Sequence, residues 1–121
     1  MIGYVTLGSN DVERALLFYD AVLGELGARR GFNNDRLQFY AAKGAMLAIG
    51  KTYDGNPASV GNGTMVALAA RDRETVDRVH AKALSLGAVD EGAPGERSPA
   101  FYGAYFRDPD GNKLCIFHYT G

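Results

Sequence analysis

The sequence predicts an α+β protein built from tandem βαβββ modules, which form a curved, U-shaped mixed sheet with the helices on its outer face. A short apolar strand, an acidic helix cap and an amphipathic helix follow one another within residues 2–28. The same order recurs within residues 63–88, and both helices end in Leu-Gly-Ala. Short apolar runs separated by turn residues follow each helix, as is typical of hairpins. A repeat of this kind indicates duplication of one structural unit.

The first module is expected to span about residues 1–50. Asp11 can cap the helix, because its carboxylate can accept the unpaired N–H groups at the helix start. Apolar side chains recur at three- and four-residue spacing from Val12 to Leu26, which predicts one buried stripe. Gly27 is expected to end the helix. Three strands are then predicted at 28–33, 36–42 and 45–50.

The second module is expected to span about residues 63–121, so that the whole chain, residues 1–121, is a single domain. Residues 51–62 are rich in Gly, Asn and Pro and are interpreted as a mobile linker. The second helix is predicted at about 72–86. Residues 91–99 are expected to be irregular, whereas DPDGN at 108–112 predicts the turn of a C-terminal hairpin.

The composition excludes several classes of function. Apolar residues make up 46% and charged residues 22%, and 13 basic residues balance 14 acidic ones, so neither nucleic acid nor a membrane is an expected partner. The single cysteine, Cys115, excludes an intrachain disulfide and is typical of a reducing compartment. The N-terminus lacks signal-peptide features and no apolar stretch is long enough to span a bilayer. A cytoplasmic location is therefore expected.

Alternation of side chains along the strands predicts which residues line the cavity of the curved sheet. Val5 and Leu7 are expected to pack under a helix, so Tyr4 and Thr6 face the cavity. The same parity in the second module assigns three further residues to it: Met65, Cys115 and Phe117.

Further candidates lie near this cavity. Arg97 is the best candidate for holding an anionic group, because a guanidinium binds carboxylate bidentately. Tyr105 is expected to join it, since tyrosine has an apolar body and a polar tip suited to flat organic ligands. Cys115 is interpreted as packing rather than as a nucleophile. The sequence leaves open which face is taken by four neighbours: Gln38, Tyr40, Met46 and Tyr102.

Two histidines and one glutamate are the remaining candidates for chemistry. His80 is expected on the surface of the second helix. His118 is expected on the sheet face opposite the cavity. Glu96 is expected near the cavity rim and is the only candidate for a general base. No catalytic residue can be named from these positions.

Four segments in this order resemble the vicinal oxygen chelate superfamily of glyoxalase I, bleomycin resistance proteins and extradiol dioxygenases: MIGYVTLGSNDVERALLFYDAVLGELGA, GNGTMVALAARDRETVDRVHAKALSLGA, GAPGER and AYFRDPDGNKLCIFH. The resemblance implies a glyoxalase-like member with paired βαβββ modules, and a homodimer. Metal-dependent members place His, Gln or Glu on the first strand of each module and Glu on the last strand. The matching positions here are Tyr4, Met65 and Cys115.

These replacements bear directly on function. Divalent ions such as Mg, Mn, Fe(II), Ni and Zn favour carboxylate and imidazole, so no cofactor and no metal are expected. The first hypothesis is therefore a binding protein for a small aromatic or carbonyl-containing molecule. The second is a lyase, isomerase or dioxygenase that holds a divalent metal through non-standard ligands. The third is an interaction module whose sheet edge or helix face only mediates assembly, which a concave face filled by side chains would favour.

Overall fold

Each half of the chain folds as β-α-β-β-β in the computed structural model, which describes residues 1–121. The first unit, Met1–Ser59, contains β1 (Tyr4–Gly8), α1 (Val12–Gly24), β2 (Arg29–Asn33), β3 (Leu37–Ala41) and β4 (Met46–Gly50). The second unit, Val60–Gly121, contains β5 (Val66–Ala69), α2 (Arg73–Ser85), β6 (Val89–Ser98), β7 (Phe101–Arg107) and β8 (Lys113–Tyr119). The predicted α+β class and the repeated element order are confirmed. The predicted linker, residues 51–62, contains neither helix nor strand.

The first unit is a four-stranded sheet in the order β1-β4-β3-β2, with β1 and β4 parallel. Asp11 caps α1 by accepting a hydrogen bond from the Arg14 backbone N–H at 3.2 Å. The chain leaves the helix through Gly27, whose φ of 78° suits a residue without a side chain. The Tyr40 hydroxyl donates to the Leu16 carbonyl of α1 at 3.3 Å, which identifies the side of the sheet that the helix covers. In each unit this side is called the helix face, and the other the open face.

The second unit repeats this arrangement in the order β5-β8-β7-β6. Asp72 caps α2 by accepting from the Thr75 backbone N–H at 2.8 Å. Val76 and Val79 of α2 are completely buried, as expected for the apolar stripe of a helix that packs on a sheet. Four sheet residues of this unit are equally buried: Ala104, Phe106, Leu114 and Ile116.

Strand β6 contradicts the prediction that residues 91–99 are irregular. It runs from Val89 to Ser98 and pairs with β7 through several register shifts. β6 lies at the edge of the sheet, where Pro94 need not donate a backbone hydrogen bond. The prediction was wrong because bulges on an edge strand accommodate Gly and Pro that a central strand would exclude.

The DPDGN segment forms the predicted turn between β7 and β8. One carboxylate oxygen of Asp108 accepts the backbone N–H groups of Asp110 and Asn112, each at 2.9 Å. Its other oxygen accepts from the Asn112 side-chain amide at 3.0 Å. Gly111 has a φ of 93°, which glycine adopts without steric cost. This network sets the register of the hairpin.

Neither helix, each of 13 residues, combines the length and apolar character needed to cross a membrane.

Candidate functional site

The open face of the second sheet brings together the largest number of predicted site residues. The Tyr102 hydroxyl donates to Asp77 of α2 at 2.7 Å, which places Tyr102 on the helix face. Since side chains alternate along β7, Tyr105 lies on the open face. Its cross-strand partners are Cys115 in β8 and Gly92 in β6.

Arg97 folds back across the glycines of its own strand. A Cβ on Gly92 would lie 3.3 Å from its Nη2, and one on Gly95 would lie 2.9 Å from its Nη1. Nη2 donates to the Ala93 carbonyl at 2.6 Å, and the guanidinium carbon lies 5.4 Å from the centroid of the Tyr105 ring. No carboxylate pairs with Arg97, so its remaining N–H groups are free to bind an anion.

Lys113 is a second cation beside the Tyr105 ring. Its Nζ lies 5.8 Å from the ring centroid and 3.8 Å from a carboxylate oxygen of Glu91. The same oxygen accepts from Arg107 Nε at 2.9 Å, so the Glu91 charge is shared between two cations. Our sequence interpretation missed Lys113. Its parity with Cys115 in β8 is the signal that could have found it.

Cys115 lies buried under this cluster, with 1% of its surface exposed. Burial raises the pKa of its thiol, and a hydrogen bond with Tyr105 partly offsets the effect. A thiol that is both covered and kept protonated is a poor nucleophile and a poor metal ligand. The position fits the packing role that was expected.

Cys115 is expected to resist alkylation in the native protein. Because only the thiolate reacts, iodoacetamide should modify the folded chain at least about tenfold more slowly than the urea-unfolded chain at neutral pH. The native rate should rise only above the pH at which an ordinary thiol ionises, since the pKa is raised. Mass spectrometry of timed samples measures both rates. Equal rates in the folded and unfolded chains would contradict the burial described.

Phe117 belongs to an aromatic pair further along the same open face. Its ring stacks on Phe101 with centroids 5.1 Å apart and planes at 7°. The Phe101 ring covers Gly103, where a Cβ would come within 2.8 Å of it. The open face therefore carries a flat apolar surface next to its cationic cluster.

The predicted residues of the first unit lie on the open face of the first sheet. The ring of Tyr4 meets that of Phe39 edge-on at 5.0 Å, and Phe32 meets Phe39 at 5.6 Å. Thr6 and Phe39 lie opposite the same residue of β4, so their side chains are on the same face. In the second unit Met65 immediately precedes β5 and is 44% exposed.

The structure also assigns the neighbours whose facing the sequence left open. Met46 packs with Phe39 on the open face of the first sheet. Tyr40 bonds to α1, and Gln38 shares its parity on β3, so both belong to the helix face. Tyr102 bonds to α2 and also lies on the helix face.

The two histidines and Glu96 do not contribute to the open face. His80 is only 5% exposed, and its Nε2 lies 3.0 Å from Asp90. The expected surface position was therefore wrong, because the side of α2 that carries His80 packs against β6 and β7. His118 faces the Ala70 carbonyl at 3.0 Å. Glu96 accepts from Arg73 of α2 at 2.9 Å, so its expected position at the cavity rim was also wrong.

The donor groups do not fit a divalent metal. The chain contains no group of three or more His, Cys, Asp and Glu side chains that could hold an ion. At the positions that the family resemblance indicates stand a phenol, a thioether and a buried thiol, on Tyr4, Met65 and Cys115. Hard and borderline ions bind a neutral phenol or a thioether poorly, and one cysteine alone does not form a metal site.

Comparison with known proteins agrees with this architecture. The family model described as "Glyoxalase/Bleomycin resistance protein/Dioxygenase superfamily" matches residues 1–116. A glyoxalase/bleomycin resistance protein from Albidiferax ferrireducens T118 is 40% identical, with a TM-score of 0.93 and 99% of both chains covered. No curated protein matches.

Two more distant structures show the fold alone. An enzyme of this family from Burkholderia phytofirmans PsJN is 18% identical, with 98% of each chain covered and a TM-score of 0.79. Lactoylglutathione lyase from Agrobacterium tumefaciens is 22% identical, with 98% of this chain and 92% of that chain covered and a TM-score of 0.70. From the match over residues 1–116 and the 40% identical relative, the chain belongs to the glyoxalase/bleomycin resistance protein/dioxygenase superfamily.

Proposed function

We propose that the protein binds a small aromatic carboxylate, or a similar flat organic anion, on the open face of the second sheet without a metal. The observation that carries this proposal is the placement of Arg97. Its guanidinium lies over the Tyr105 ring and has no carboxylate partner. A positively charged group that is held in place but has no carboxylate partner is suited to binding an anionic ligand.

The cations would hold the anionic end of the ligand. Arg97 offers paired N–H donors that match the geometry of a carboxylate, whereas Lys113 adds a point charge. The Lys113 charge is partly offset by Glu91 at 3.8 Å, so Arg97 is the stronger of the two contacts.

The aromatic side chains would hold the flat end. The stacked rings of Phe101 and Phe117 present an apolar surface on the same open face. Aromatic pairs are favoured in offset-stacked and edge-to-face geometries, so a ligand ring can extend such a stack.

Binding is favoured over conversion because neither side chain considered from the sequence as a general base or a nucleophile is available on the open face. Glu96 is paired with Arg73 on the helix face, and the Cys115 thiol is buried with a raised pKa. The alternative of a metal-dependent lyase, isomerase or dioxygenase draws no support from the donor groups, since no three of them converge.

Calorimetric titration with trans-cinnamate tests the proposal. Cinnamate is expected to bind, and neutral cinnamamide to bind at least about tenfold more weakly, because it cannot form the charge-assisted bonds. Arg97→Gln should weaken cinnamate to a similar extent, and Arg97→Lys to a lesser one. Arg71→Gln removes a largely exposed arginine of the same unit and should leave the affinity unchanged. Equal affinity of Arg97→Gln and the unaltered protein for cinnamate would refute the proposal.

A further inference from the structure

A separate cavity of about 540 Å³ lies in the first unit, where β1 and β4 end. Thr6, on the open face of the first sheet, also lines it, but no residue of the second unit does. Its wall includes the strand ends at Gly8 and Leu37 and most of the segment from Lys51 to Ser59. Besides Tyr53, six polar or charged side chains line it: Thr6, Arg36, Lys51, Thr52, Asp54 and Ser59.

The segment that walls this cavity is bound to the unit by specific contacts. The side-chain amide of Asn10 donates to the Ala58 carbonyl at 3.1 Å and accepts from the Ala58 N–H at 2.6 Å. The Thr52 hydroxyl donates to the Asn56 carbonyl at 2.6 Å. The segment also passes close to β1, because a Cβ on Gly8 would lie 3.1 Å from the Ala58 side chain. These contacts give the cavity a defined wall.

Arg36 is held at the cavity by its backbone and by its side chain. Asn34 accepts the Arg36 backbone N–H at 2.9 Å, which fixes the turn before β3. Nη1 of Arg36 donates to the Lys51 carbonyl at 3.0 Å, and its guanidinium carbon lies 5.5 Å from the centroid of the Tyr53 ring. No carboxylate pairs with the guanidinium of this half-buried residue, so most of its five N–H groups remain available.

The remaining charges at the cavity leave Arg36 unneutralised. Lys51 is exposed and makes no ion pair. Asp54 accepts the backbone N–H of Asn56 at 3.0 Å and its side-chain amide at 3.1 Å, and these bonds lower the pKa of its carboxyl. The carboxylate is thus engaged by an amide and not by either cation. The wall therefore carries one more positive than negative charge.

Tyr53 adds an unusual aromatic element. Its side chain is 89% exposed even though its ring lies over Arg36. An exposed ring beside an unpaired guanidinium offers both a stacking surface and a charged contact to one ligand.

We propose that this cavity is a second binding site, which takes a small molecule bearing a phosphate or carboxylate group. Arg36 binds the oxyanion through its free N–H groups, Lys51 adds a second positive charge, and Tyr53 stacks on an apolar ring of the ligand. The site is independent of the binding proposed for the second sheet, because every residue that forms it belongs to the first unit.

Chemical-shift titration of backbone amides tests this site with three probes: inorganic phosphate, phenyl phosphate and benzoate. Saturating shifts are expected at Arg36 and across residues 51–58. Tighter binding of phenyl phosphate than of benzoate would assign phosphate as the preferred group, and the reverse order would assign carboxylate. The absence of saturating shifts at these residues with all three probes would overturn the proposal, whatever cinnamate does at the second sheet.

Two variants locate the contacts. Arg36→Gln is expected to weaken phenyl phosphate at least about tenfold, whereas Arg29→Gln, which removes an exposed arginine of β2, should have no effect. Tyr53→Ala should weaken phenyl phosphate but leave inorganic phosphate unchanged. Binding that is equally tight in Arg36→Gln and Arg29→Gln would overturn the assignment of Arg36.

Discussion

Gly50→Ala is expected to destabilise the first unit by about 3 kcal/mol or more, which is a large fraction of the stability of a typical domain. A Cβ at this position would overlap the Arg36 carbonyl oxygen and come within 3.0 Å of the Leu37 Cα. Both atoms are backbone atoms, at the start of β3 and in the residue before it, so no side-chain rotation can relieve the overlap. Since Gly50 pairs with Leu37 and ends β4, the substitution would break the sheet at this end.

Urea unfolding followed by circular dichroism measures the loss. Gly24→Ala is the matched control, because a Cβ there meets nothing within 4 Å and the residue ends α1. Alanine in a helix is expected to be neutral or to stabilise by up to about 1 kcal/mol. Similar unfolding midpoints for the two variants would show that β3 and β4 are not paired as described.

Asp108→Ala is expected to cost about 3 kcal/mol in the second unit. The carboxylate is 3% exposed and accepts three hydrogen bonds from Asp110 and Asn112. Removing it leaves buried donors without an acceptor, and hydrogen bonds to a charged group contribute about 1.5–3 kcal/mol each without being additive. The turn would lose the contacts that hold the register of β7 and β8.

Asp108→Asn separates hydrogen bonding from the loss of bulk. The asparagine side chain has one acceptor oxygen, which can accept hydrogen bonds from the two backbone N–H groups but not from the Asn112 amide. We expect a loss intermediate between the unaltered protein and Asp108→Ala in the same urea measurement. If Asp108→Ala were as stable as the unaltered protein, the turn network would have no role in stability.

The order of elements could be predicted because each signal was local. Asp11 and Asp72 stand at the helix starts, and glycines with positive φ follow the helix ends. β6 could not be predicted, because whether Pro94 is tolerated depends on which strand lies at the sheet edge. The place of β6 at the sheet edge depends on pairing between residues far apart in the sequence, which the local composition cannot predict.

The candidate site was predictable only where alternation or side-chain chemistry sufficed. Cys115 and Phe117 follow from the parity of one strand, and Arg97 from the chemistry of its guanidinium. The burial of His80 and the pairing of Glu96 required contacts between α2 and β6 that no local pattern encodes. In the sequence, the glycines that let Arg97 fold over the sheet indicated only a loop, and their place in a strand could not be predicted.

The most direct measurement is calorimetric titration of trans-cinnamate into protein stripped of metal by a chelator and into the same protein supplied with Mn, Fe(II), Ni or Zn. We expect saturable binding to the stripped protein, unchanged by added metal and lost in Arg97→Gln. Binding that appears only after a divalent ion is restored, and that persists in Arg97→Gln, would contradict metal-independent recognition by the open face of the second sheet.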